Sequence, residues 1–328
     1  MEKLICLGIE SSAHTFGIGI VDSDGNVLVN EKSVYKPPIG SGINPTDAAN
    51  FHEKNADAVL KNALDKSKLS MNDIDVIAYV AGAGLPPCLF VGAKFASKLV
   101  EEWKRPLVKV CHQIGHLEIG KLTTSVKDPI FVYLSGGNTQ IIGFVEDCYH
   151  VFGETEDVPV GNCLDVVARE MKLEMPGGLQ IEKLAKGGKY LEIPYVVKGM
   201  DTSYTGIATT AINLFRKGAS KEDVAYSLQE TCFAMLTEVT ERALSHTDKK
   251  EILLVGGVAA NKRLQEMMKK MCDERGAVFF VVPEEYSGDQ GAMIAWVGLL
   301  AHKMGWKPDF DDIVKPKWRI DDINWFKT

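Results

Sequence analysis

Residues 111–116 read CHQIGH and set His112 and His116 four apart in a chain with seven histidines. On a helix, side chains at i and i+4 project from one face. Two imidazoles so placed can clamp one metal ion. The competing reading is a satisfied core histidine beside a surface one. Position 113 is Gln, so the stretch is not H-E-x-x-H, and the glutamate that serves a zinc protease as base is missing from its usual place. A metal needs further ligands. Asp289, in the turn SGDQG ahead of an apolar helix, offers a carboxylate. The plainer role for such an Asp is a helix N-cap. Cys111 is expected to end the preceding strand.

Glycine turns form a second set of candidates. In SGGNT, Ser135 to Thr139, paired glycines stand between hydroxyl and amide side chains. Glycine lets backbone N–H groups come close to an anion, and successive N–H groups make an anion nest. A further turn, Gly256-Gly257, ends the apolar run EILLV, and a helix is expected to begin near Asn261. Most G-G pairs are plain turns; their recurrence after apolar strands is what points to phosphate. The chain has neither G-x-x-x-x-G-K-[ST] nor G-x-G-x-x-G, so neither a P-loop nor a Rossmann site is indicated.

The elements that must hold these residues alternate between strand-like and helix-like, which predicts an α/β protein. Apolar runs at 4–10 (LICLGIE) and 17–21 (GIGIV) read as strands, and DSDGN at 22–26 as a hairpin turn. Residues 46–67 read as a helix with Asp47 as a possible cap, and 91–104 as another. VIAYVAGAG reads as a buried strand running into glycines. Shifted by 124 residues, the first hairpin falls on a second: Ser11 meets Ser135, Thr15 meets Thr139, Ile18 meets Ile142 and Gly19 meets Gly143. Chance similarity of two hairpins is the alternative to a true repeat. A repeat implies two like lobes, with the ligand expected in a cleft between them.

The 328 residues suffice for two domains, and 45% hydrophobic with 25% charged residues is ordinary for a globular protein. No apolar run reaches the length of a membrane span. The first residues, MEKLIC, run straight into a strand-like segment without a basic region or cleavage site, so no secretory signal is expected. Seven scattered cysteines, none in C-x-x-C, argue for a reducing compartment and against a disulfide framework. A net charge of −7 is opposite to that of most proteins that bind nucleic acid unaided.

Together these stretches resemble, over nearly the whole chain, the universal tRNA threonylcarbamoyladenosine family. That family is TsaD in bacteria and the catalytic subunit of the KEOPS complex in archaea and eukaryotes; it once carried a glycoprotease label. GIESSAHTFGIGIVD is similar to its first phosphate motif, CHQIGHLEIG to its H-x-x-x-H motif and VYLSGGNTQI to its second phosphate motif. GETEDVPVGNCLDVVAREM and PGGLQIEKLA resemble its nucleotide-sugar segments, and VKGMDTSYTGI, LLVGGVAANKRL and GDQGAMIAW complete the order.

The resemblance implies an actin-like (ribonuclease-H-like) two-lobe fold of the ATPase superfamily with an interlobe cleft. The lobes are expected at 1–105, with 298–328 packing back on it, and at 106–297, the latter holding the site. It implies one Fe or Zn on His112, His116, Tyr133 and Asp289, the tyrosine as in the archaeal and eukaryotic branch. It implies ATP or threonylcarbamoyl-adenylate against Tyr133, Leu134, Ser135, Gly136 and Gly137, ribose hydroxyls on Asp165 and Glu182, and Gly178 and Asn261 near ribose and adenine. The implied reaction moves the threonylcarbamoyl group onto the exocyclic amine of the adenosine 3′ to a tRNA anticodon. The implied partners are tRNA, a small dimerising subunit on the first lobe and an atypical kinase on the second, in the cytoplasm and away from membranes. Unaided, the residues leave plainer readings open: Tyr133 a buried strand aromatic, Asp165 and Glu182 solvated helix charges. Four positions depart from the family pattern: Cys111 where Asn is usual, Ala83 and Phe90 in GAGLPPCLFVG, and Gly288 before Asp289. Two other classes stay open, a metalloprotease and a nucleotide-gated scaffold or small-molecule kinase. Basic residues occur only in short groups, among them Lys183, Lys186 and Lys189; Lys262 and Arg263; and Lys315, Lys317 and Arg319.

Overall fold

The computed structural model describes residues 3–38, 41–306 and 312–323. The chain forms two compact units, residues 1–37, 42–123 and 288–328 in one, and 38–41 and 124–287 in the other. The first contains β1 (Ile5–Glu10), β2 (Thr15–Asp22), β3 (Val27–Val34), α1 (Pro45–Ser67), β4 (Val76–Gly82), α2 (Pro86–Trp103), β5 (Leu107–Cys111) and α3 (His112–Thr123). The second contains β6 (Ile130–Leu134), β7 (Thr139–Val145), β8 (Cys148–Glu154), α4 (Val160–Glu170), α5 (Gly177–Ala185), the short hairpin β9 and β10 (Val197–Lys198, Asp201–Thr202) and α6 (Thr205–Arg216). It continues through α7 (Lys221–Thr247), β11 (Glu251–Val255), α8 (Lys262–Arg275), β12 (Val278–Val281) and α9 (Glu284–Ser287); α10 (Gly291–Lys303) then rejoins the first unit.

Both units use one strand plan. The first sheet runs β3-β2-β1-β4-β5, and the second runs β8-β7-β6-β11-β12. In each, three antiparallel strands are followed by two that run parallel to the first. Thr15 opens β2 and Thr139, its match in the 124-residue shift, opens β7. The lobe boundaries expected at 105/106 and 297/298 differ from the division found, at 123/124 and 287/288. The reason is local: β5 pairs with β4, α3 follows β5 without a loop, and α10 lies on β1 and β2. Residues 307–311 and 324–328 of the expected C-terminal return lie outside the described residues.

Local chemistry explains most element ends. Asp22 Oδ1 accepts from the N–H groups of Asp24 (2.9 Å) and Asn26 (3.0 Å), closing the DSDGN turn, where Gly25 takes φ +88°. The cap of α1 is Asn44 rather than Asp47: its side chain accepts from Thr46 N–H at 2.9 Å, and Asp47 falls in the first turn. Helix α2 begins at Pro86, five residues ahead of the expected 91, because proline suits the first helical turn. No described helix is long and apolar enough to cross a membrane.

Strand alternation settles what faces what in the first unit. Leu7 and Ile9 of β1, and Phe16, Ile18 and Ile20 of β2, join residues of α1 and α2 such as Ala56, Val59, Ala96 and Leu99 in one core. The intervening positions Gly8, Gly17 and Gly19 then face the other way, and there α10 packs backbone to backbone. A Cβ on Gly8 would stand 2.1 Å from Ala295 N, and one on Gly19 2.0 Å from Ala292 N. Neither neighbour is a flexible side chain, so the helix itself would have to move. Gly19→Val should therefore lower stability by at least about 2 kcal/mol, checked by urea unfolding of the purified chain, whereas Val29→Ala on the adjacent strand should cost less.

Candidate functional site

Helix α3 begins directly after β5, and its buried first turns present both imidazoles. The two rings stand 4.8 Å apart, nearly perpendicular at 86°. Asp289 does not cap α10. That role belongs to Gln290, whose side-chain oxygen accepts from Met293 N–H at 3.2 Å. The Asp289 carboxylate instead lies 3.3 Å from His116 Nε2 and 3.5 Å from His112 Nε2. Ligand atoms of the three residues all lie within 4.8 Å of one another. Two donors bound at about 2.05 Å to one tetrahedral ion stand about 3.3 Å apart. The two carboxylate–imidazole spacings are close to that edge, and two imidazoles with a carboxylate suit iron or zinc.

A residue the motif reading missed sits behind this trio. Glu10 ends β1 fully buried, and its Oε2 lies 3.2 Å from His112 Nδ1. Its other oxygen accepts from Ser12 N–H at 2.6 Å. A carboxylate on the far nitrogen fixes the ring and leaves Nε2 for a metal, the usual outer-shell arrangement. The signal was available: a carboxylate closing the apolar run LICLGIE has to be either exposed or partnered.

Charge and burial act on the cluster together. Burial disfavours a charged His112, but the Glu10 and Asp289 carboxylates outweigh it and push the pKa up to about 9. Burial lowers His116, helped by the charge of His112 and opposed by Asp289. Burial would raise Asp289, yet the two imidazoles hold it well below the usual carboxylate range.

The nucleotide candidates all belong to the second unit and are linked by direct contacts. Gly256, at φ +90°, closes on the Leu134 carbonyl, where a Cβ would stand 2.3 Å away. Gly161 of α4 closes equally on the Ser135 carbonyl, at 2.5 Å. Asp165 Oδ1 accepts from Gly177 N–H at 2.8 Å, next to Gly178 on α5. Glu182 Oε1 accepts from Lys262 N–H at 2.9 Å, and the neighbouring Asn261 caps α8 through Leu264 N–H at 3.1 Å. Asn261 leads back to the Gly256-Gly257 turn, which closes the circuit. At the SGGNT turn, Gly136 and Gly137 are exposed with open space around them. Ser135 Oγ already accepts from Gly137 N–H (3.2 Å) and Asn138 N–H (2.9 Å), so a phosphate there would take over those donors. Tyr133 is buried in β6 with its hydroxyl 3.4 Å from Asn138 Nδ2. It lies in the second unit, the three clustered ligands in the first.

Residues 25–296 match the family model described as TsaD, tRNA N6-adenosine threonylcarbamoyltransferase. The chain belongs to this family. It is 50% identical over 326 residues to the tRNA N6-adenosine threonylcarbamoyltransferase of Thermofilum pendens, covering 98% of this chain and 97% of that one. It is also 50% identical to a Methanocaldococcus jannaschii protein named as probable bifunctional in tRNA threonylcarbamoyladenosine biosynthesis, covering 99% of this chain and 61% of that one. Among solved structures, the HypF of T. kodakarensis shares the fold at a TM-score of 0.63 and 16% identity, over 94% of this chain and 49% of that one. The activator of a 2-hydroxyisocaproyl-CoA dehydratase from Clostridium difficile does so at 0.56 and 11%, over 93% and 97%. The fold is thus the actin-like ATPase one. The TsaD-family chain is a transferase of tRNA threonylcarbamoyladenosine biosynthesis.

None of the departures from the TsaD-family pattern replaces a member of the trio, and two of them, Cys111 and Gly288, directly precede His112 and Asp289. Cys111 ends β5, buried, with its thiol pushed up to about 12 by burial, which makes it a poor ligand. Phe90 is exposed on α2.

These charges make the site sensitive to pH. A histidine raised in the folded state contributes stability that is complete below its ordinary pKa of about 6.5. That contribution is lost as pH rises through about 9. Metal binding runs the other way, because the ion must displace the His112 proton. Zinc affinity of the metal-free protein, followed by competition with a chelator, should rise about tenfold per pH unit from roughly 6.5 to 9 and then level off. Glu10→Gln should weaken zinc by about 10- to 100-fold.

Proposed function

We propose that this chain transfers the threonylcarbamoyl group from threonylcarbamoyl-adenylate to the exocyclic amine of the adenosine 3′ to the anticodon. It does so as the catalytic subunit of a KEOPS-type complex in the cytoplasm. The family assignment supports the transfer, and the observation that carries the site is the placement of Asp289 against both imidazoles rather than at the helix cap. His112, His116 and Asp289 would hold one iron or zinc; Tyr133 is added as a ligand by the family resemblance alone. When bound, such an ion supplies Lewis-acid stabilisation of charge on phosphate or carbonyl oxygen.

The chain's own residues bind and orient. The N–H groups of the SGGNT turn donate to the adenylate phosphate in place of Ser135 Oγ. Asp165 accepts from the Gly177 N–H and Glu182 from the Lys262 N–H, and carboxylates at these places suit ribose hydroxyls as acceptors. With the adenylate held, the adenine amine attacks the carbamoyl carbon. The new C–N bond forms as the C–O bond to the phosphate breaks, AMP leaves, and the amine loses a proton. Holding both reactants accounts for most of such an acceleration through proximity.

A metalloprotease reading gains nothing from the site. Position 113 is a buried Gln, and the carboxylate that is near, Glu10, is engaged at His112 Nδ1.

Two measurements test the proposal. His116→Ala should remain folded with less than half an equivalent of bound metal and a transfer rate reduced at least about 100-fold, whereas Tyr133→Phe should lose metal only if the phenolate is a ligand. A full equivalent of metal in His116→Ala would overturn the assignment. Glu182→Ala should shrink the ATP-induced rise in melting temperature. Because Glu182 also takes the first N–H of α8, it should cost about 0.5–1 kcal/mol in the nucleotide-free protein.

A further inference from the structure

One of the short basic groups lies on the helix that carries Gly178 and Glu182. Leu179 and Lys183 of α5 and Lys186, which caps its C-terminal end in helical conformation, recur at i, i+4 and i+7, so they share one exposed stripe. The chain then turns at Gly187-Gly188 and continues to Val196 without regular secondary structure, past Lys189, Tyr190 and Tyr195. From Lys183 to Lys198 it carries four lysines and one acidic residue, Glu192, within a chain of net charge −7.

This segment is irregular but pinned. Gly188 lies against the Glu222 carbonyl, where a Cβ would stand 2.1 Å away. Lys189 N–H donates to Asp223 Oδ1 at 2.7 Å, and Leu191 N–H to Ser227 Oγ at 2.7 Å. The Tyr190 hydroxyl meets Thr231 Oγ1 at 3.4 Å, and that of Tyr195 donates to Glu238 at 2.5 Å. Asp223, Ser227, Thr231 and Glu238 fall on one stripe of α7, so the segment tracks a single helix face. Both tyrosines are thereby held at the hydroxyl while their side chains stay 56% and 51% exposed. An anchored, exposed ring has less freedom left to lose when a base stacks on it.

The charges are arranged to match. Three acidic residues of α7 are met by arginines: Glu230 by Arg263 at 2.7 Å, Glu238 by Arg242 and Glu241 by Arg275. Lys183, Lys186 and Lys189 form no salt bridge among the described residues, although the Lys189 charge helps to hold the Asp223 carboxyl low. Lysines free of salt bridges beside fixed aromatic faces are the pattern that grips a nucleic-acid backbone while its unpaired bases stack.

We propose that the ledge formed by the exposed stripe of α5 and residues 187–196 is a docking surface for the tRNA substrate, with Lys183, Lys186 and Lys189 on phosphates and Tyr190 under an unpaired base. This rests on the transfer reading above. It gives an acidic chain a local surface for a polyanion, next to the helix that carries the ribose-binding candidates.

The test measures affinity for a tRNA with adenosine 3′ to its anticodon, over a series of salt concentrations, with full-length protein and its ATP present. The K183A/K186A/K189A variant should bind at least about tenfold more weakly. Its slope of log affinity against log salt should be shallower by about 0.7 to 0.9 for each lysine that meets a phosphate. Tyr190→Ala should weaken binding about tenfold with the slope unchanged, and Tyr190→Phe, which keeps the ring but loses its anchor on Thr231, should fall between that variant and the wild type. K269A/K270A, which removes two lysines of α8 already facing Asp273 and Glu274, is the charge control. Unaltered melting temperatures and ATP-induced shifts show that the variants are folded. Wild-type affinity and slope in both the triple variant and Tyr190→Ala would overturn the ledge and leave the transfer reading standing. That is also the result expected if an acidic protein partner, not tRNA, covers it. An equal loss in K269A/K270A would reduce the effect to general charge and overturn it as well. Failure of the transfer reading looks different: the wild type itself would not bind tRNA.

Discussion

Helix α10 lies against β1 and β2 only because that face of the strands has almost no side chains. Gly8, Gly17 and Gly19 line it on the sheet, and Gly291 and Ala292 answer from the helix. The approach is backbone to backbone, so it tolerates neither growth nor slippage. Its consequence is positional. Asp289 stands two residues before α10, and the histidines stand at the start of α3, where β5 ends without a loop. Gly115 of α3 in turn meets Met293 Cγ of α10, at 3.1 Å from its Cβ position. The spacing of three ligand atoms is thereby set by elements that have little room to adjust, which is how a site is held within fractions of an ångström.

The second unit repeats the strand plan and uses it differently. In the first, β5 feeds the histidine helix directly. In the second, the ends of the adjacent parallel strands β6 and β11 carry glycine turns that touch, Gly256 against Leu134. Ligands of open α/β sheets favour the carboxyl ends of parallel strands. One half of the duplication thus offers a cluster of hard and borderline donors, the other a circuit of N–H groups and carboxylates. The first chemistry suits a metal ion, the second phosphate and hydroxyl groups. Both are reached by varying the turns and helices attached to the strand ends while the strands themselves stay alike.

Much of this was legible in the residues. The 124-residue repeat anticipated two sheets of one order, and the motif order anticipated the family. The glycines at alternate positions of LGIE and GIGIV read only as parts of apolar strands, because an apolar run and a glycine-faced run look alike until a partner helix is known. Asp289 shows the limit well. Sequence alone favours the N-cap as the plainer role, and the capping bond of Gln290 with the approach of Asp289 to both imidazoles turns that round. Glu10 reads in the sequence as no more than the end of a strand, because its partner His112 lies 102 positions away. Unit boundaries missed for a similar reason: strand pairing of β5 with β4 and the return of α10 are long-range facts that local composition does not encode. Tyr133 keeps two readings, a buried strand aromatic and a ligand.

The trio is best understood as a demand for positive charge. Glu10 and Asp289 bring two buried or half-buried carboxyl groups to opposite nitrogens of one ring. Burying carboxylates without a cation is costly. No lysine or arginine is paired with either carboxyl group among the described residues. The charge has to come from the imidazole, which explains why His112 is raised despite its burial while His116 is lowered. Two adjacent imidazoles cannot both be charged cheaply, so the cluster is stabilised by one proton and could use two positive charges. A divalent ion between His112, His116 and Asp289 meets that demand better than a proton does, and Glu10 stays in place as the acceptor that keeps the ring turned toward it.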